Sequence, residues 1–191
     1  MDTIRISIQA YITDLFPQGS PSRRSGGQRV QALANGLAMP SFWSEAEIRQ
    51  TFKEVNHIWD QAKIEFAPVQ ITRRTDTVPA DGDSLWAYIV NNMTPRHGIG
   101  VAFVFDLPSN EGGWGGGRVA AIAGAKSLNA LPGYKASVVA HELGHVLLGA
   151  THHNHTEPSS LMYDRRNPRI VSANLLDEAE ITTARRRAAA L

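Results

Sequence analysis

Apolar and polar residues alternate over positions 4 to 12, with Ile4, Ile6, Ile8, Ala10 and Ile12 on one side and Arg5, Ser7, Gln9 and Tyr11 on the other. A period of two puts successive side chains on opposite faces, so this segment is predicted to be a half-buried strand. The period then lengthens. Ser44 with Glu47 three residues on is a capping-box start, and Ile48, Phe52, Val55, Trp59 and Ala62 follow at helical spacing. They predict a long amphipathic helix with one buried stripe. Ile64 to Ile71 reads as the next strand, and Pro68 breaks its alternation, which favours an edge or a bulge. Asp83 or Ser84 is placed to cap a short helix holding Leu85, Tyr88 and Ile89.

The second half changes character. Ile99 to Phe105 is continuously apolar, as expected of a strand buried on both faces. Glu111 to Gly117 reads as a loop, Val119 to Ala125 as a strand, and residues 134 to 149 as a helix. A polar, His-rich loop spans 151 to 160. A last helix is expected from about Leu175, with Asp177, Glu178 and Glu180 early and Arg185 to Arg187 late, an order that suits the helix dipole. Those arginines are read as a solvated helix end. Residues 17 to 28, rich in Ser, Gly and Pro, are read as a flexible loop.

Composition narrows the chemistry. The net charge of +1 gives no field directed at nucleic acid or a membrane surface. There is no cysteine, so thiolate metal sites, disulfides and a cysteine nucleophile are excluded. Any metal must be held by His, Asp or Glu. The 191 residues suit one domain. No apolar run approaches a membrane span, and the N-terminus reads as a strand rather than a signal peptide. Two compartments stay open: the cytoplasm, or outside the cell if a leader has been removed.

The chemistry concentrates in His141-Glu142-Leu143-Gly144-His145. Histidines four apart on a helix lie on one face, so both imidazoles can reach one ion. Zinc suits imidazole nitrogen and, in catalytic sites, three protein ligands with one open position. Glu142, about 100° round the helix from His141, can reach a water at the metal without ligating. It would take that water's proton and hand it to a leaving amine. Gly149 can end the helix in a left-handed turn, and His152, His153 and His155 follow.

At these residues the chain resembles the metzincin clan of zinc endopeptidases, whose pattern is H-E-x-x-H-x-x-G-x-x-H followed by a Met-turn. His141, Glu142, His145, Gly149, His152 and Met162 match it in order, and Leu161-Met162-Tyr163 looks most like the matrixin-type turn. The resemblance implies an α+β metzincin-like (zincin) domain spanning residues 1–191. It would have a twisted mixed sheet, a long backing helix, an active-site helix and a small C-terminal lobe ending in a helix. The upper lobe would cover about 1–149 and the lower lobe 150–191. An edge strand within 118 to 125 would pair with extended substrate, and Met162 would support the metal from beneath. His141, His145 and His152 would hold one catalytic zinc ion, with Glu142 as general base and then acid. The sequence departs from the pattern by one residue: Val146, Leu147 and Leu148 stand where the clan has two. The Gly149 to His152 spacing is kept, so His152 is the expected third ligand, with His153 next and His155 after it.

The expected activity is that of a zinc metalloendopeptidase, a hydrolase of peptide bonds. Its partner would be a peptide or protein substrate, with a proteinaceous inhibitor as a further candidate, and the chain would act as a monomer. Tyr163 and Trp114 are candidate substrate contacts. The glycine-rich run around Trp114 lacks the P-loop ending and reads as a flap over the cleft rather than a phosphate cradle. Asp81-Gly82-Asp83 lacks the remaining ligands of a calcium loop and reads as a turn. His57 and His97 read as ordinary satisfied or solvent-facing histidines. Two other readings remain. One is a zincin with a carboxylate third ligand such as Glu157 or Glu178. The other is a non-catalytic metal- or partner-binding module built on His152, His153 and His155.

Overall fold

The computed structural model describes residues 1–13, 43–74, 82–104, 107, 112–124, 133–163 and 174–191. The loop expected at 17–28, together with Asp81, Phe105, Glu111 and Ala125, lies outside the described residues. The alternating segment is strand β1, Ile4–Thr13, with Ile6, Ile8, Ala10 and Ile12 buried. Helix α1, Glu45–Trp59, starts at Ser44, whose side chain accepts from the Glu47 N–H while the Glu47 side chain accepts from the Ser44 N–H. Its stripe Ile48, Phe52, Val55 and Trp59 is buried as the spacing predicts. A short 3-10 turn, Asp60–Ala62, leads into strand β2, Ile64–Arg74.

β2 lies parallel to β1 at one edge of the sheet, and the pairing slips: Ile6 faces Phe66 but Ile8 faces Val69. The extra residue is a bulge at the place where position 68 interrupts the alternation. Helix α2, Gly82–Met93, begins a residue earlier than expected, so Asp83 and Ser84 lie within its first turn rather than before it. Strand β3, Ile99–Val104, is buried at every position. Strands β4, Gly113–Gly116, and β5, Val119–Ala123, follow, then helix α3, Tyr134–Leu148, and helix α4, Glu178–Ala188. No helix among the described residues is long and apolar enough to cross a membrane.

The described residues form a mixed α/β fold with four α-helices and one mixed sheet, ordered β2-β1-β3-β5-β4. β2, β1, β3 and β5 are parallel, and β4 alone is antiparallel. The edge strand beside the motif helix is therefore β4, not the segment expected within 118 to 125. β5 is paired on both sides and buried throughout. The run around Trp114, read from sequence as a loop or flap, is itself a strand.

Glycine explains this. A Cβ on Gly113 would meet the Glu142 side chain, and one on Gly115 would lie 2.9 Å from His145 Cβ. Two glycines at a spacing of two clear one face of β4 so that α3 can approach it. Trp114, on the opposite face, meets Trp86 of α2 edge to face at 6.0 Å. The sheet thus separates α2 from α3.

Trp59 on α1 donates its indole N–H to the Ala140 carbonyl on α3 at 3.3 Å and packs edge to face on Phe66. Lys135 near the start of α3 pairs with Glu47 near the start of α1 at 3.0 Å. The C-terminal helix is tied in as well. Arg185, expected to be solvated, donates to the Ala62 carbonyl at 2.8 Å and the Asp2 carbonyl at 3.0 Å. His57 and His97 are solvent-facing, as expected.

Candidate metal centre

α3 is almost wholly buried, which fixes its rotation about its own axis. Leu143 and Leu147 enter the core while His141 and His145 share the remaining face. Each imidazole is oriented by a backbone carbonyl. His141 Nδ1 donates to the Leu161 carbonyl at 2.7 Å, and His145 Nδ1 donates to the Gly149 carbonyl at 3.3 Å. A carbonyl can only accept, so both Nδ1 atoms carry the proton and both Nε2 atoms present lone pairs. Those Nε2 atoms stand 3.1 Å apart. Two lone pairs so close repel unless a proton or a cation lies between them.

The third member is His153. Its ring lies 4.7 Å from that of His145 and 5.5 Å from that of His141. One ligand atom from each of His141, His145 and His153 falls within 4.8 Å of the others. Two zinc–nitrogen bonds of about 2.0–2.1 Å at a tetrahedral angle would put their nitrogens about 3.3 Å apart. The observed pair, and a donor set made only of imidazoles, fits zinc without rearrangement of α3. Burial lowers the His145 pKa from its ordinary value, and neighbouring His153 and His152 lower it further against the raising effect of the Gly149 carbonyl. The lowered pKa favours the neutral, ligating form.

His152, the ligand expected from the motif spacing, is placed elsewhere. Its Nε2 meets Glu180 Oε1 at 2.7 Å. The cause is the extra residue in Val146-Leu147-Leu148. Helix α3 continues through Leu148, and Gly149 follows at φ 131°, ψ 143°. This is not the left-handed turn expected there but an extended conformation on the positive-φ side that glycine alone adopts readily. With the exit shifted by one residue, the next histidine comes round to the pair. His155 is exposed, with its ring 5.9 Å from His153.

The remaining candidates fall around this group. Glu142 is 6% exposed, under Gly113 of β4. Met162 is fully buried against Gly144, between the two motif histidines. Asn154 donates its backbone N–H to the Met162 carbonyl at 2.8 Å and bridges Tyr163, which is half-buried. The carboxylate of Glu157 accepts from the Ser159 backbone N–H at 3.1 Å, turned into its own loop, and Glu178 is exposed on α4. Neither belongs to the histidine group.

No protein family and no curated protein sequence matches the chain. Solved structures do. Archaemetzincin from Methanopyrus kandleri superposes with a TM-score of 0.57 over 95% of this chain and 94% of its own, at 12% identity. A chain from a chaperone–substrate complex gives a TM-score of 0.55 over 98% of this chain but only 34% of its own, also at 12% identity. At such identity the likeness establishes the fold alone. The chain thus shares the fold of archaemetzincin, and here that fold carries a three-histidine group able to hold a metal.

Proposed function

We propose that this chain is a zinc-dependent endopeptidase, a single catalytic domain in which His141, His145 and His153 hold one zinc ion. Glu142 serves as its general base and then its acid. The observation behind this is the convergence of three imidazoles beside a buried carboxylate one position on from His141. Zinc in such a site supplies Lewis acidity, lowering the pKa of a water and polarising the scissile carbonyl. The Glu142 carboxylate accepts the proton of the attacking water and returns it to the leaving amine. Gly113 closes over Glu142 and limits its freedom, so the proton carrier stays aimed.

The substrate is read as an extended peptide or protein segment. Among the described residues, β4 is the last strand of the sheet and pairs with β5, so an extended peptide would add beside it as a further strand. Side chains of that peptide would alternate between the histidine group and the Trp114 face. Met162 supports the histidines from the far side of Gly144, and Tyr163 lies next in the same turn. Residues 1–149 form the upper lobe in this reading and 150–191 the lower. The archaemetzincin likeness supports the same assignment.

The test is zinc content and cleavage of a mixed peptide library, on the wild type and Glu142→Ala side by side. The expected result is about one zinc per chain in both proteins and cleavage by the wild type alone. Cleavage by Glu142→Ala would remove the role given to that residue. Absence of zinc from both would end the metallopeptidase reading.

A further inference from the structure

We infer that the hydrogen bond between His152 and Glu180 is a positioning strut: it holds His152 outward so that the next residue, His153, faces the imidazole pair, and it makes the C-terminal helix part of the metal centre. This rests on the three-histidine zinc reading above.

The loop in question is short and fixed at both ends. It leaves α3 at Gly149 and is caught again at Asn154, whose N–H donates to the Met162 carbonyl at 2.8 Å. Ala150, Thr151, His152 and His153 lie between. The His152 backbone N–H closes a turn onto the Gly149 carbonyl at 3.0 Å. From there the chain runs into the β-bridge at Asn154, with the His152 ring at Glu180 and the His153 ring beside those of His145 and His141. His152 and His153 therefore compete for one direction. Whichever ring is held outward, its neighbour becomes the inward one.

Glu180 decides that competition. It is 5% exposed at the third position of α4, and its two oxygens are divided. Oε2 accepts from the Asp177 N–H at 3.0 Å, completing a capping box, while Oε1 meets His152 Nε2 at 2.7 Å. The cap prevents the carboxylate from swinging away, and the positive end of the helix favours its charge. The His152 side chain is 39% exposed, so it contributes little to the core. Because Glu180 is buried, losing His152 also leaves one of its oxygens short of a partner, and unfolding of the metal-free protein measures that cost separately. The effect of the strut itself falls on which histidine reaches the metal.

The experiment measures zinc affinity by chelator competition, with thermal unfolding of the metal-free protein in parallel. The variants are His152→Ala, His152→Gln, Glu180→Ala, the His152→Ala/Glu180→Ala double, and His153→Ala. His152→Ala and Glu180→Ala should each weaken zinc binding about 10- to 100-fold, the range for losing a partner that orients a ligand. The double variant should be no weaker than the worse single one. His152→Gln retains an N–H donor for Glu180 and should bind zinc close to wild type. Unchanged zinc affinity in His152→Ala, or losses that multiply in the double variant, would overturn the strut. Wild-type affinity in His153→Ala would instead overturn the ligand reading beneath it. So would a His152→Gln loss as complete as that of His153→Ala.

Discussion

Gly113 lies directly over the carboxylate of Glu142: a Cβ at position 113 would stand 2.8 Å from Glu142 Cδ and 2.9 Å from its Oε1. Glu142 is the less able to yield because it is buried where α3 packs against β4. Gly113→Ala should therefore displace the carboxylate and leave the three histidines in place. The expected outcome is unchanged zinc content with hydrolysis lowered about 10- to 100-fold, the scale of a misplacement near 1 Å. Steady-state kinetics on a cleaved library peptide would check it, and a wild-type kcat would refute the geometry.

Gly144 sits against Met162 in a similar way, with a Cβ 3.1 Å from Cε and closer still to Sδ. Two effects oppose each other in Gly144→Ala. Replacing a mid-helix glycine gains roughly 0.5–1 kcal/mol, whereas forcing a methyl into a packed core costs about 1–3 kcal/mol. Met162 is fully buried and tied at its own N–H to Ser160 Oγ at 3.1 Å, so it has little room to move. The packing loss should win, and urea unfolding of Gly144→Ala should show a lower midpoint than the wild type.

Glu47 gives a pH prediction of definite sign. Burial works to raise its pKa, but hydrogen bonds from Ser44 and Lys135 outweigh it, and the folded value lies below the ordinary 4.5. A carboxylate with a depressed folded pKa stabilises the protein above its unfolded pKa, and that contribution is lost as pH falls through the folded value. Unfolding midpoints measured downward from pH 5 should fall less steeply in Glu47→Gln than in the wild type. The neutral variant should already be less stable near pH 7.

Strand addition at β4, the last strand in the sheet order among the described residues, predicts a main-chain requirement. Peptides methylated on the backbone nitrogens that face β4 should be cut with a KM raised about 2- to 10-fold per blocked hydrogen bond, corresponding to roughly 0.5–1.5 kcal/mol each. Methylation at the intervening nitrogens should have little effect. Equal sensitivity at every position would argue against strand addition.

The motif, the core and most elements were legible because each rests on a local signal. The stripe Ile48, Phe52, Val55 and Trp59, the capping box at Ser44 and the alternation of β1 are consequences of period and hydrogen bonding alone. β4 was not legible as a strand, since glycine has poor strand propensity and its place is set by the approach of α3. The clue present was the pair Gly113 and Gly115, spaced to clear one face. The place of His152 was hidden for a different reason. Spacing counted from Gly149 selects His152, but Glu180, far along the chain, holds that ring. The extra residue among Val146, Leu147 and Leu148 was the local sign that the chain leaves the helix differently, but the partner that holds His152, 28 positions away, had none.

The two ends of the sheet bear on how the protein behaves in concentrated solution. An open strand edge invites pairing with any other chain, including another copy, and seeds aggregates when it is long, flat and apolar. β4 is only four residues, GWGG, and its glycines make a poor template. β2 at the far edge is bulged and ends in Arg73 and Arg74, which meet like charge on a second copy. The glycines that admit α3 so closely therefore also discourage edge-to-edge self-association, leaving β4 a weak nucleus for fibres.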